Sequence, residues 1–385
     1  MDSERLFQGF FRGKKVLVTG HTGFKGSWLT AWLVKLGAGV TGYSLEPPTD
    51  PSLFEQCKLA KHIRSMTGDI RDLEKLTKAV ATAKPEIVFH LAAQSLVRRS
   101  YRDPVETVAT NVLGTAHVLE AIRRKGAAVK VCQVITSDKC YANRETGHAY
   151  TEEDPVGGHD PYSASKGAAE LVVASFRKSF FPPESMARQG VSLSSVRAGN
   201  VIGGGDWSED RIFPDCVRAL SKKKPVLVRN PESVRPWQYV LDALSGYLAL
   251  AARQADGEAI YASAWNFGPE AASELKVADF TDKVIRYWGS GSWVPGKPKA
   301  SAADEKLHEA KLLKLDCSKA HQLLTWHPVY TVDEAIEQTV LWYRSLSKSK
   351  RFNAYDFTLN QIDHYVSKAK GRGLLWTMQQ PKPPR

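Results

Sequence analysis

The sequence predicts an α/β fold: a doubly wound parallel sheet with helices on both faces, and a smaller C-terminal α/β unit beside it. Three observations lead there. Short Val- and Ile-rich runs alternate with helical patterns through the first half of the chain, the signature of βαβ units and hence of parallel strands. The first run is followed by Gly20-His21-Thr22-Gly23-Phe24-Lys25-Gly26 at the point where a helix begins. Farther on, Tyr162 and Lys166 stand four residues apart, a spacing that puts both on one helix face.

The elements follow in order. Lys15–Thr19 is a short apolar run ending at Gly20 and reads as the first strand. Helical spacing runs from Phe24 to Leu36, then a strand covers Gly39–Ser44. A helix near Leu73–Ala83 and a strand at Ile87–His90 continue the rhythm. A helix over Val105–Lys125, a strand over Val129–Thr136, a helix over Tyr162–Phe180 and a strand over Val191–Arg197 complete a Rossmann-like core. Beyond Arg197, Gly203-Gly204-Gly205 and Pro214, Pro225, Pro231 and Pro236 punctuate shorter elements. A helix at Tyr239–Arg253 and a strand at Trp265–Gly268 are expected to return to the sheet, and Thr331–Tyr343 is an amphipathic helix. The expected division is a core of residues 1–196 with return segments near 236–269, a substrate-binding unit of 197–235 and 270–346, and a C-terminal helix and tail of 347–385. The last stretch, Gly371 to Arg385, has little periodicity and is expected to be poorly ordered.

Composition narrows the class. A chain of 385 residues with 43% hydrophobic and 24% charged residues is that of an ordinary globular protein with a sizeable core. It has no apolar run of about 18 residues, so no membrane span is expected. Met1 to Lys15 lacks the apolar centre of a secretory signal, which makes the cytoplasm the expected location. Cys57, Cys132, Cys140, Cys216 and Cys317 are scattered and odd in number, so neither a disulfide framework nor a zinc pattern is predicted. The histidines show no H-x-x-x-H or H-E-x-x-H spacing, and no metal is expected. The net charge of +12 raises nucleic acid as a partner. The basic residues are dispersed, however, with Lys222-Lys223-Lys224 and the stretch after Lys348 the densest, and no aromatic-interleaved RNA motif. A solvated surface and an anionic small substrate fit better than nucleic acid.

The glycine motif is a cofactor signal because of its place. Its glycines allow a tight turn and bring a pyrophosphate to the N-terminus of the next helix. Gly20, Thr22, Gly23, Phe24, Lys25 and Gly26 are the candidates. The second strand should end in an acid that holds the adenosine ribose, but Ser44 stands there. With no Arg beside it for a 2′-phosphate, NAD is expected rather than NADP, bound more weakly than usual. Asp69 and Ile70 are placed to contact adenine, and Leu91, Ala92 and Ala93 to pack beside the nicotinamide half.

Y-x-x-x-K can take a proton from an alcohol while hydride leaves its carbon. Lys166 is expected to lower the Tyr162 pKa by stabilising phenolate. Thr136-Ser137-Asp138-Lys139 adds an acid and a possible base, which a plain dehydrogenase would not need. Oxidation coupled to elimination is the implied chemistry. A surface ion pair at a strand end is the plainer account of Asp138 and Lys139.

With these residues in order the chain resembles the extended short-chain dehydrogenase/reductase family, from about Lys15 to Tyr343. The glycine motif, His90-Leu91-Ala92-Ala93, Asn111-Val112-Leu113-Gly114-Thr115 and Tyr162/Lys166 carry that resemblance. Within the family it is similar to the nucleotide-sugar 4,6-dehydratases, and most to their CDP-glucose branch. Gly20–Trp28, Gly42–Glu55, Ser137-Asp138-Lys139 and Phe357–Tyr365 carry this finer likeness. Where Lys139 stands, the dTDP-glucose enzymes have Glu.

The resemblance implies oxidation at C4 of the glucose, loss of water across C5 and C6, and return of hydride to C6, with NAD regenerated. It gives Tyr162 the C4 hydroxyl proton, Ser137 a hydrogen bond to the C4 oxygen, and Asp138 the protonation of the departing C6 hydroxyl. Lys139 has two open roles, neutral base at C5 or charged stabiliser of the enolate. Asn111 counts with the cofactor residues, with a partly structural part open to it. Asn200 and Arg235 match diphosphate-binding residues, and Gln94 and Ser95 are expected in the sugar pocket. Trp207 and Arg211 are open between nucleotide contact and packing. A homodimer or homotetramer is expected, through helices 105–125 and 162–180.

Overall fold

The computed structural model describes residues 3–185, 190–296, 312–348 and 352–378. Seven parallel strands form the central sheet: β1 (Lys15–Thr19), β2 (Gly39–Ser44), β3 (Arg64–Thr67), β4 (Ile87–His90), β5 (Val131–Ile135), β6 (Ser192–Arg197) and β7 (Ala264–Asn266). Their order is β7-β6-β5-β4-β1-β2-β3. The order reverses at β1, with β2 on one side and β4 on the other, so a crevice opens beyond the strand ends at that point. β1, β4 and β5 are mainly apolar and almost wholly buried, as strands covered on both faces tend to be, while β6 is equally buried but carries Ser192, Ser194, Ser195 and Arg197.

Among the described residues the α-helices of seven residues or more are α1 (Phe24–Lys35), α2 (Leu73–Ala83), α3 (104–125), α4 (Pro161–Ser179), α5 (Ile212–Ser221), α6 (Val240–Gln254), α7 (Val277–Trp288), α8 (Ser318–Leu324), α9 (Val332–Lys348) and α10 (Ala354–Gly371). One apolar layer joins α2, α3 and α4 on one face of the sheet. A larger one joins α1, α6 and the C-terminal helices on the other. As expected, α6 and β7 return to the core, β7 pairing with β6 from Ala264 against Ser195.

Three features depart from the sequence reading. β3, Arg-Ser-Met-Thr, carries no apolar pattern because it is the sheet edge and mostly exposed; polar edges resist further pairing. The helix expected over 105–125 contains a π turn at Ala109–Leu113. Within it, Asn111 Nδ2 donates to Gln94 O and Ser165 Oγ, both at 2.9 Å, and such inserted turns mark functional places in helices. Residues 372–378, expected to be loose, pack down: Trp376 is buried and stacks on Phe7 at 5.0 Å and beside Trp32 and Tyr365. Residues 379–385 lie outside the described residues.

Candidate active site

β5 leads into the loop that carries the candidate residues. Its last residue is Ile135, and Thr136-Ser137-Asp138 turn out from the sheet into a short 3-10 turn, Asp138–Cys140. Asp138 is 3% exposed, so the solvated ion pair is excluded. Its Oδ1 accepts from Ser137 Oγ and from Lys139 N, both at 2.9 Å. Gly199, just after β6, leaves the space this carboxylate occupies, since a Cβ there would collide with it. Asp138 and Gly199 both line a cavity of about 330 Å³, with Pro236, Gly268, Pro269, Ala271 and Glu274 among the other walls.

α4 brings the second half. Asp160 caps it, accepting from Ser163 N at 3.0 Å, and Pro161 opens its first turn, a favourable start for a helix. Tyr162 and Lys166 are both buried on that helix. The Ser137 hydroxyl stands beside the Tyr162 phenol and favours its ionised form. The expected lowering of the Tyr162 pKa does not occur in the chain alone. Burial pushes the phenol up to about 12, with the Ser137 hydrogen bond opposing and Asp138 adding to the rise. Lys166 is itself pushed down to about 8 by burial, with the Glu170 charge opposing, and its Nζ lies 3.5 Å from Ile135 O. Lys166 is not among the groups that shift the phenol, so desolvation prevails.

Behind this pair lies a network that the sequence reading missed. Glu170, one turn beyond Lys166, accepts from Thr136 Oγ1 at 2.5 Å, Ser195 Oγ at 2.6 Å and Arg197 Nη2 at 2.9 Å. Burial works to raise its carboxyl, but Arg197 and the hydroxyls hold it below the usual carboxylate value. Arg197 continues to Tyr141 OH at 2.7 Å, and Tyr141 to Asn266 Oδ1 at 2.7 Å. α4, β5, β6 and β7 are thus locked together beneath the reactive residues. The i, i+4 spacing from Lys166 was the one available signal for Glu170.

The crevice at β1 fits a dinucleotide. Gly20 has φ +76°, and a Cβ there would strike the Ala92 backbone, so the turn demands glycine. The N-cap of α1, Gly23, offers no side-chain cap and the first turn holds no acid. Its N–H groups and positive dipole end are left for an anion, as a pyrophosphate requires. Thr22 and Ser44, which the sequence placed on the cofactor side, meet at 2.8 Å beside the end of β2. Ala92 N donates to Thr19 Oγ1.

Residues 17–339 match the GDP-mannose 4,6-dehydratase family. The chain belongs to this family. Among curated relatives of the family, it is 50% identical over 339 residues to the CDP-glucose 4,6-dehydratase of Salmonella typhimurium strain LT2, covering 88% of this chain and 92% of that one. The dTDP-glucose 4,6-dehydratase of Xanthomonas campestris pv. campestris strain ATCC 33913 is 28% identical over 345 residues, covering 85% and 92%. In fold, it is similar to a dTDP-glucose 4,6-dehydratase of Streptomyces venezuelae solved with NAD bound, at 23% identity and TM-score 0.69, covering 86% of this chain and 96% of that one.

The remaining predicted residues spread around this dehydratase-family scaffold. Lys25 turns away from the turn it belongs to: Nζ donates to Tyr247 OH at 3.3 Å. Burial, Arg211 and Lys166 push its ammonium down to about 7, against the pull of Asp138. Tyr247, on α6, carried no sequence signal. Phe24 packs at Gly203, and Gly26 has no room for a side chain against the Gly20 carbonyl. Past the end of β3, the Asp69 carboxylate takes four hydrogen bonds from Arg71, and Ile70 packs on Gly114. Asn111 commits its amide to Gln94 and Ser165, including Gln94 N at 2.8 Å, so its place is to hold the loop and α4. Gln94 likewise spends its amide on Leu96 and Thr107, while Ser95 beside it is exposed. Asn200 adopts φ +48° next to Gly199. Arg235 sits on the strand Val234–Pro236, and Pro236 lines the cavity. Arg211 reaches Asp206 at 3.4 Å. Trp207 donates to Gln56 Oε1 at 3.0 Å and packs edge-on to Tyr343, which is the packing alternative.

Proposed function

We propose that this chain is an NAD-dependent lyase that converts CDP-glucose to CDP-4-keto-6-deoxyglucose. The observation that carries the reading is 50% identity over 88% of the chain to a CDP-glucose 4,6-dehydratase. Asp138, which lines the cavity, with Ser137 bonded to its carboxylate and Tyr162 beside Ser137, supports it. Gly20, Thr22, Gly23, Gly26 and Ser44 would hold NAD, which when bound supplies a hydride acceptor for C4 and a hydride donor for C6.

Atoms balance as the loss of one water. Tyr162, beside Ser137, takes the proton of the C4 hydroxyl as that carbon is oxidised to a ketone. The ketone acidifies the C5 proton. Asp138 protonates the C6 oxygen, which leaves as water, and a double bond joins C5 and C6. Hydride returns to C6 and a proton to C5, leaving the 4-ketone and a 6-methyl group. Lys139 is either the C5 base or the cation that stabilises the enolate. Burial of Asp138 and Tyr162 keeps competing water from both proton transfers.

Asn200 and Arg235 are assigned to the substrate diphosphate, with Arg211 at the nucleotide end. The exposed apolar residues Val105, Val108 and Leu113 on α3 and Leu171 on α4 suit pairing of two copies across a two-fold axis. Among the described residues no helix is long and apolar enough to cross a membrane, and we assign the enzyme to the cytoplasm, supplying deoxysugars for surface polysaccharide such as O-antigen.

Turnover of CDP-glucose, with dTDP-glucose and GDP-mannose in parallel, tests the reading. Expected are a 4-keto product from CDP-glucose alone, deuterium at C5 in D₂O and no net reduced NAD. Product from another nucleotide only would overturn the substrate, and epimer without water loss would overturn the reaction.

A further inference from the structure

No linear spacing among the histidines suggests a metal, because the residues concerned are distant in sequence. Folding brings Glu270, His321 and His327 together, with one ligand atom of each within 4.8 Å of the other two. His327 Nδ1 lies 4.0 Å from Glu270 Oε1, and the two imidazoles face one another with centroids 4.3 Å apart. We propose that these three side chains bind a divalent transition-metal ion of the Zn²⁺ type, with water completing its shell.

The donor set selects the class. Two imidazoles and one carboxylate suit Zn²⁺ and its neighbours, whereas Mg²⁺ and Ca²⁺ take oxygen ligands.

The backbone around the three residues is already anchored. Trp326 donates to Ser245 Oγ at 2.9 Å and Val329 N to Asp242 Oδ1 at 2.6 Å, bracketing His327. Gly268 N donates to Cys317 Sγ at 3.0 Å, tying the loop of Glu270 to the start of α8, which carries His321. Ligands on a tetrahedral ion with bonds of about 2.0–2.1 Å stand roughly 3.4 Å apart. The side chains therefore close by at most about 1.4 Å, with the rings rotating out of their stack toward one ion. Glu270 and His327 are 58% and 44% exposed, so packing does not hinder that rotation. Pro269 and Ala271, on either side of Glu270, line the cavity that holds Asp138. An ion here would brace that wall against α8.

The test uses the full chain, stripped with a chelator and dialysed, then titrated with Zn²⁺ by calorimetry and thermal melting. Expected are one ion per chain and a Tm rise of about 4 °C at a hundred-fold excess over Kd. His321→Ala and His327→Ala should each abolish both signals. His148→Ala, which removes an imidazole paired elsewhere with Asp154, should leave both intact. Glu270→Gln, at an exposed position, should weaken binding by about ten-fold or more and serves if a histidine variant does not fold. Absence of heat and shift, binding unchanged in the His321, His327 or Glu270 variants, or binding lost in His148→Ala would each overturn the site. None of these readouts depends on the substrate.

Discussion

The Arg197 guanidinium meets the Glu170 carboxylate at 2.9 Å, with each side chain 4% exposed, directly behind the loop that carries Asp138. The same carboxylate takes the hydroxyl of Thr136, two residues before Asp138. Position in the active site and stability of the core therefore depend on one pair.

Glu170→Gln should lower stability by about 3–5 kcal/mol, because a buried guanidinium is left without its counter-charge. For a chain of this length that corresponds to a Tm fall of roughly 4–6 °C, measurable by calorimetry. The Glu170 pKa is depressed in the fold, so its contribution is present above the ordinary carboxylate range and is lost as pH falls through the folded value. Wild type should thus lose Tm on acidification more steeply than Glu170→Gln. Parallel acid limbs would refute the assignment.

Gly199→Ala places a methyl group where the Asp138 carboxylate lies. Displacing an acid by about 1 Å costs on the order of 10²-fold in rate. Product formation should fall by about that factor, while single-turnover oxidation at C4 persists. Equal loss of both steps would mean that Gly199 serves the fold and not Asp138.

Asp138→Asn and Tyr162→Phe should separate the two halves of the reaction. The Asn variant keeps the base for C4 oxidation but has no proton for the C6 oxygen, so reduced nicotinamide should accumulate on the enzyme. The Phe variant should show no reduction phase, with a loss of about 10²-fold or more. A reduction phase in Tyr162→Phe at the parental rate removes that residue from the mechanism.

Lys166 has a pKa lowered to about 8 by burial, so its charge is present below that value and is lost above it. The rate should decline with an alkaline limb near there. Lys166→Arg keeps its charge at all accessible pH and should push the limb upward even if the maximal rate is lower. A limb that stays in place belongs to another group.

Much of this was legible in the chain. The strands Lys15–Thr19, Gly39–Ser44 and Ile87–His90 begin and end in the structure where the sequence alternation put them, the first and last because strands covered on both faces favour continuous apolar runs. Gly20, Thr22 and Ser44, Tyr162 and Lys166, and Ser137 and Asp138 likewise follow from motifs local in sequence. β3 was not legible, since an edge strand needs no apolar pattern. Trp376 was not, since one aromatic in a polar stretch shows no period, and its burial depends on Phe7 and Trp32 at the far end of the chain.

By itself the sequence determined the α/β alternation, the glycine turn and the order of reactive residues, all of which depend on neighbours within a few positions. Only the tertiary structure decided how those residues are tuned. The phenol of Tyr162 is raised rather than lowered, because desolvation depends on everything packed around it, and a helical spacing to Lys166 does not report that. The room for Asp138 comes from Gly199, the support for its loop from Arg197, and the Glu270-His321-His327 group from segments about fifty residues apart. Such juxtapositions are made by strand order and helix packing, so they exist only once the chain has folded.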